Sequence, residues 1–255
     1  NNEINDNELG VTLLAGTSNA KVVGNDIYGS LGEALVIEFS DGNLAENNNM
    51  VGIPTDPNLD SDGGVVIRGS ADNTIRGGEI RDTGDAGVVI DQGASDNTVE
   101  DVVMYRNGDA GVIVYDSDGT RVIGITAHQE SDGGVVLSNA NDTLVKDSDL
   151  RFNPSGVEHN NSNDVTIEGN DGSDSLQTGF EIGNGLNIVV RDNIANRTGG
   201  AGIGVEGGAF DALTGLPLGG ALIEGNATNQ NSQSGTSGAA AGPPTRMKLW
   251  FIRRP

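Results

Sequence analysis

Residues 64–67 and 87–90 both read Gly-Val-Val-Ile, 111–114 Gly-Val-Ile-Val, 134–137 Gly-Val-Val-Leu, 156–159 Gly-Val-Glu-His, 179–182 Gly-Phe-Glu-Ile and 202–205 Gly-Ile-Gly-Val. Their opening glycines lie 23, 24, 23, 22, 23 and 23 residues apart. A fixed period in this range means one structural unit stacked on copies of itself. Two earlier copies start at Gly10 and at Ala34, where alanine replaces the glycine.

Within each copy the apolar residues alternate. One residue after the glycine come Val11, Leu35, Val65, Val88, Val112, Val135, Val157, Phe180 and Ile203. Three residues after it come Leu13, Ile37, Ile67, Ile90, Val114, Leu137, His159, Ile182 and Val205. Alternate residues of a strand share a face, so these two columns line the interior of the stack. A second short strand is expected about ten residues on, at 19–23, 73–76, 97–100 and 164–167, and a third around Ile27, Ile80, Val103, Ile125 and Leu150. Three short strands per coil, paired in parallel with the next coil and joined by right-handed crossovers, predict an all-β, right-handed parallel β-helix. The spacing predicts nine to ten coils of ~23 residues over 1–235, with 236–255 as a non-repeat tail.

Composition agrees with a narrow core. The chain has 255 residues, 40 glycines, 35% hydrophobic and only 4% aromatic residues, which suits a thin interior of Val, Ile and Leu. The formal charge of −23, from 37 acidic and 14 basic residues, repels nucleic acid and anionic membrane surfaces. It is compatible with divalent cations or with a simple solubility role. The absence of cysteine excludes disulfides and thiolate chemistry. No apolar run approaches the roughly 18 residues that a membrane-spanning helix needs, so no membrane insertion is expected. The chain opens inside a repeat and closes on Arg-Met-Lys-Leu-Trp-Phe-Ile-Arg-Arg-Pro at 246–255, unlike anything before it. We therefore read it as a piece of a longer protein with a foreign or anchoring tail.

Turn columns are also legible. Asn25, Asn47, Asn170, Asn193 and Asn226 recur where the chain must turn, and asparagine tolerates left-handed backbone and bonds to its neighbour in a stack. Asp62, Asp85, Asp109 and Asp132 precede four of the glycines by two residues. They either close the turn into the first strand or share a calcium ion, although their spacing matches no EF-hand loop.

The Gly-Val-Val-Ile and Asn-Thr-Val coils, with their Gly-Asn turns, resemble the right-handed parallel β-helix repeat family, the pectin-lyase-like superfamily. The resemblance implies a secreted or cell-surface protein that binds or cleaves acidic polysaccharides or other glycans.

The outward column, two residues after the glycine, carries the candidate chemistry. It reads Thr12, Val36, Val66, Val89, Ile113, Val136, Glu158, Glu181 and Gly204. The stripe Val66, Val89, Ile113 and Val136 is expected to be covered, by a loop, another domain or a second copy. Beyond it Glu158 and Glu181 stack, and two neighbouring carboxylates raise each other's proton affinity or jointly hold a cation. Here the sequence partly resembles the Tyr-Gly-Phe-Asp-Pro-His motif of alginate C5-epimerases, with Glu158 at the aspartate and His159 one position early. That implies lyase or epimerase chemistry with Glu158 and His159 as the acid–base set, flanked by Arg151, Tyr105 or His128. His159 is either buried and bonded or turned outward by a strand irregularity. Arg81, Tyr105, His128 and Arg151 fall 24, 23 and 23 residues apart, so they should form one column. They are either solvated turn residues or a site for a sugar acid. Glu181, Arg81 and Tyr115 are assigned to substrate contact. Three functions stay open: a glycan-contacting scaffold, a polysaccharide lyase or epimerase, and a surface fibre that self-associates through the Val66 to Val136 stripe.

Overall fold

In the computed structural model the described residues are 1–52, 63–205 and 221–232, with the backbone of 236–238. The excursion at 207–220, all but the first two residues of the one at 51–62, Asp62 and the tail at 246–255 lie outside them.

The chain is a right-handed parallel β-solenoid with three sheet faces and no helix among the described residues. The glycine-led strands form a ten-stranded first sheet that starts at Val11–Leu14 and Leu35–Glu38. The second sheet has nine strands, among them Lys21–Val23, Thr74–Arg76 and Thr98–Glu100. The third runs through six strands, from Glu3–Asn5 to Thr126–His128. It continues as single bridges through Asp149 and Asp171 to Ile194. Every strand pairing is parallel, and the first sheet keeps the sequence register: Val65, Val88, Val112, Val135 and Val157 are successive partners.

The stack amounts to about eight turns of ~23 residues, slightly fewer than nine to ten. Two turns use more chain than the period allows. Equivalent turn positions are 30 residues apart at Asn43 and Asn73, and 33 apart at Asn193 and Asn226.

The core is the narrow aliphatic column that the alternation predicts. Leu35, Ile67, Ile90, Val114 and Phe180 are buried completely from the first sheet, and Val99, Val122 and Ile167 from the second. The third strand differs from expectation by one residue. Met104, not Val103, pairs with Ile80 and faces inward, while Val103 lies on the surface. A slip of one residue in a strand exchanges the two faces. Likewise the asparagine column passes through Asn48 rather than Asn47. Asn25 donates its main-chain N–H and its side-chain amide to Asn48 Oδ1 at 2.9 and 3.0 Å. Asn47 instead takes the left-handed turn conformation. Asn170, Asn193 and Asn226 form the ladder as predicted.

The outward stripe is not uniformly exposed. Val36 and Val66 are already buried within this chain, and Val89, Ile113 and Val136 are half-buried.

Candidate functional site

The strands Gly133–Ser138 and Ser155–Asn160 are the longest among the described residues, and they carry the first sheet past the aliphatic stripe. Val136, Glu158 and Glu181 are direct register partners on the outer face. They line an open groove of about 540 Å³, together with Ser138, Asn160 and Asn184. The sequence predicts this stacking of the two glutamates, and the fold brings Asp132 to it as a third carboxylate.

Burial raises the proton affinity of Glu158 above the usual carboxylate range, and the negative charges of Asp132 and Glu181 raise it further. A carboxyl group held this way gives up its proton reluctantly, which suits either a hydrogen-bond donor to a ligand hydroxyl or a general acid.

His159 resolves to the buried alternative. Its side chain keeps the inward alternation, is 2% exposed, and places Nε2 3.0 Å from the Ser162 carbonyl oxygen. Burial lowers its proton affinity. Glu158 and His159 thus point to opposite faces of one strand, as neighbours in a strand must. Tyr105 and His128 lie on the third sheet, with Arg151 bonded to Asp149 at its continuation, whereas Glu158 lies on the first.

Those three residues form a separate assembly on the third sheet. Arg81, Tyr105 and His128 are register partners, as their spacing predicts. Arg81 is bound to Glu79 and Asp82 at 2.6 and 2.7 Å, and the Tyr105 hydroxyl donates to Glu79 at 2.8 Å. His128 Nε2 lies 2.8 Å from Asp149, which also takes two bonds from Arg151 at 2.6 and 2.7 Å. Desolvation raises the proton affinity of the partly buried Asp149 carboxyl, but the two bonds from Arg151 and the nearby His128 outweigh it and hold the carboxyl down to about 2. Tyr115 ends a first-sheet strand beside Ser138 and is half exposed.

Of the aspartate column, Asp85, Asp109 and Asp132 follow one another through main-chain bonds. Burial, then the charges of Asp85 and Asp132, raise the proton affinity of Asp109. Among the described residues no three His, Asp or Glu side chains are grouped to hold a metal ion.

Sequence reasoning missed several members. Arg106 stacks 4.5 Å over Tyr105 and grips Asp82 with two bonds. Phe152 packs edge-on to His128 at 5.5 Å. Glu130 is buried in a turn column between Asn107 and Asn153. The last was legible in principle, because 107, 130 and 153 follow the 23-residue period.

A family model described as right-handed β-helix region matches residues 9–141 and 94–239, and the chain belongs to that family. No curated protein matches it. Among solved structures it is similar to the enzymatically active domain of tailspike protein 2 from bacteriophage CBA120, with 13% identity over 93% of this chain and 42% of that one and a TM-score of 0.68. An alginate lyase from a Paenibacillus strain matches at 15% identity over 93% and 88% of the two chains, with a TM-score of 0.67. PfbA, a surface adhesin of Streptococcus pneumoniae, matches at 14% identity over 92% and 62%, with a TM-score of 0.60. The chain spans less than half the length of the tailspike chain. At these identities the likeness is one of fold.

Proposed function

We propose that this protein is a secreted or cell-surface β-helix scaffold that contacts carbohydrate along the outer face of its first sheet. The observation that carries the reading is the groove at Val136, Glu158 and Glu181, where a half-buried aliphatic floor gives way to carboxylates and the side-chain amides of Asn160 and Asn184. An apolar base with a few fixed polar groups suits a sugar ring, whose faces are apolar and whose edges are hydroxyls. Of the similar structures, the alginate lyase supports a glycan context and the surface adhesin a surface location. No helix among the described residues is long and apolar enough to cross a membrane.

A second reading, a lyase or epimerase acting on an acidic glycan, is favoured by one observation: Glu158 is a carboxyl with raised proton affinity beside another glutamate. On that reading Glu158 moves the proton and His159 acts only by fixing the strand. Self-association through the outward stripe is a third reading, with Val89, Ile113 and Val136 as its contact.

The test is to incubate the protein with alginate, pectate and neutral glycans, with calcium or with chelator, and to follow ultraviolet absorbance and proton NMR. Binding without turnover supports the scaffold. An unsaturated or epimerised product supports the enzyme. In either case Glu158→Gln should weaken binding or turnover by about tenfold, equivalent to ~1.4 kcal/mol. An unchanged response in that variant would remove the groove from the function.

A further inference from the structure

Tyr105, His128 and Phe152 sit on three successive coils, one ring per coil. Tyr105 and His128 are register partners on the third sheet, and His128 meets Phe152 edge to face at 5.5 Å. Tyr105 and His128 hold equivalent positions about 4.8 Å apart, and Phe152, one residue further along its coil, closes on His128 edge to face, so the three aromatic residues follow one another along the solenoid. Guanidinium groups flank them: Arg106 and Arg81 lie 4.5 and 6.0 Å from the Tyr105 centroid, and Arg151 5.3 Å from that of Phe152.

This ladder is built where packing does not require it. Phe152 is 46% exposed and holds a left-handed backbone, with φ of 66°. A bulky side chain is costly there. The equivalent residues on the neighbouring coils, Asp82, Arg106, Gln129, Asp174 and Arg197, share the conformation and are all polar. In a chain with 4% aromatic residues, an exposed ring on a strained position beside two others is not explained by the core.

Charge decides what the ladder suits. Arg106 is tied by two bonds to Asp82, Arg151 by two to Asp149, and Arg197 by two to Asp174. Each guanidinium is therefore already neutralised, within a molecule of formal charge −23. An anionic ligand would meet a carboxylate beside every arginine. A neutral polyhydroxylated ligand meets the reverse. Planar Arg–Asp pairs offer donors and acceptors side by side for adjacent hydroxyls, and the ring faces offer apolar area for the C–H faces of a sugar.

We propose that the ladder Tyr105–His128–Phe152, with its paired arginines, is a second carbohydrate-contact strip that binds a chain of neutral sugars along the third sheet, on a face distinct from the Glu158 groove. It rests on the glycan reading above and extends it to a second surface and a substrate class.

The experiment uses the whole chain and titrates neutral glucose hexasaccharides of two linkages and an oligomannuronate by calorimetry and saturation-transfer NMR, at low and high salt. The result expected is that a neutral hexasaccharide binds with an affinity insensitive to salt. Tyr105→Ala and Phe152→Ala each weaken it about tenfold, Phe152→Tyr restores it, and Phe39→Ala, which removes an exposed ring beyond the end of a first-sheet strand, leaves it unchanged. Circular dichroism and unfolding midpoints of the variants establish that they fold. If the wild type binds a neutral sugar and both ring variants bind it as tightly, the strip is wrong while the glycan reading stands. If only the oligomannuronate binds, with affinity that falls as salt rises, the neutral class is wrong. If no glycan binds in any form, both readings fall.

Discussion

Glu130 stands where the coils before and after it place Asn107 and Asn153, and that substitution has a pH signature. Its Oε2 accepts the Asn107 main-chain N–H at 2.7 Å, and its own N–H donates to Asn153 Oδ1 at 2.9 Å. Its second oxygen and the Asn107 side-chain nitrogen are buried without a partner. Burial pushes its carboxyl up to about 8, against the hydrogen bond from the Asn107 main-chain N–H that favours the ion. An unfolded glutamate titrates near 4.3. The folded state therefore binds more protons than the unfolded state between about 4.3 and about 8, and stability falls as pH rises through that window, by up to ~1.4 kcal/mol per pH unit. Glu130→Gln keeps the shape and the acceptor and removes the ionisation. It should raise the urea midpoint at pH 7 to 8 and flatten the stability profile between pH 5 and 8, and an unchanged profile would show that Glu130 is ionised in the fold. Asp109 poses a related question, since it is held between Asp85 and Asp132. Asp109→Asn relieves repulsion and should raise the melting temperature in chelator. If added calcium raises the wild-type melting temperature and this variant loses that response, the aspartate column is a cation site.

The element that defines the coil is the glycine-led strand, and its glycine is set by contact with the next coil. A Cβ on Gly111 would lie 2.6 Å from the Gly134 carbonyl oxygen and 2.7 Å from the Ala127 methyl. Gly87, Gly134, Gly156 and Gly179 meet the carbonyl of the following glycine in the same way. Gly111→Ala should therefore overpack the interior and cost about 1–3 kcal/mol, read as a lower urea midpoint with a retained β-sheet spectrum. No change in midpoint would mean that the coils separate freely at this corner. This column was legible in the sequence because one steric demand recurs at one position in every coil but the one that starts at Ala34. The third strand was legible only to within a residue. Its three positions offer too short an alternation to separate Val103 from Met104, and both are apolar. The candidate site divides similarly. Glu158 and Glu181 declare themselves by interrupting an aliphatic column, and spacing alone aligns Arg81, Tyr105 and His128. The roles of Arg106 and Phe152 depend on a left-handed turn that sends their side chains back over the sheet, and no residue preference announces it. The inward turn of His159 follows the strand alternation, yet a polar side chain in an apolar column left the direction undecided until its bond to the Ser162 carbonyl was seen.

At the scale of the whole molecule, each coil is held only by its neighbours, so stability is a sum of local terms and declines toward whichever coils have one neighbour. The burial gradient follows that expectation. Ile4, Val11 and Leu13 in the first coil are only partly buried, whereas Ile67, Ile90 and Val114 are fully so. Among the described residues, Glu3–Asn5, Val11–Leu14 and Lys21–Val23 are the edge strands of their sheets at one end, and Ala221–Glu224 and Ala227–Asn229 are edges at the other. An unpaired edge exposes a row of N–H and C=O groups, which either fray or pair with another chain. Amide hydrogen exchange should therefore be fastest in the strands between residues 3 and 28 and between 221 and 229, and slowest between 65 and 182. Dilution separates the two fates of the edges. Fraying gives terminal exchange rates independent of protein concentration, whereas edge-to-edge association gives protection that grows with concentration and disappears on dilution. Equal protection from the first coil to the last at every concentration would contradict nearest-neighbour stabilisation and require that the ends be capped by other parts of the chain.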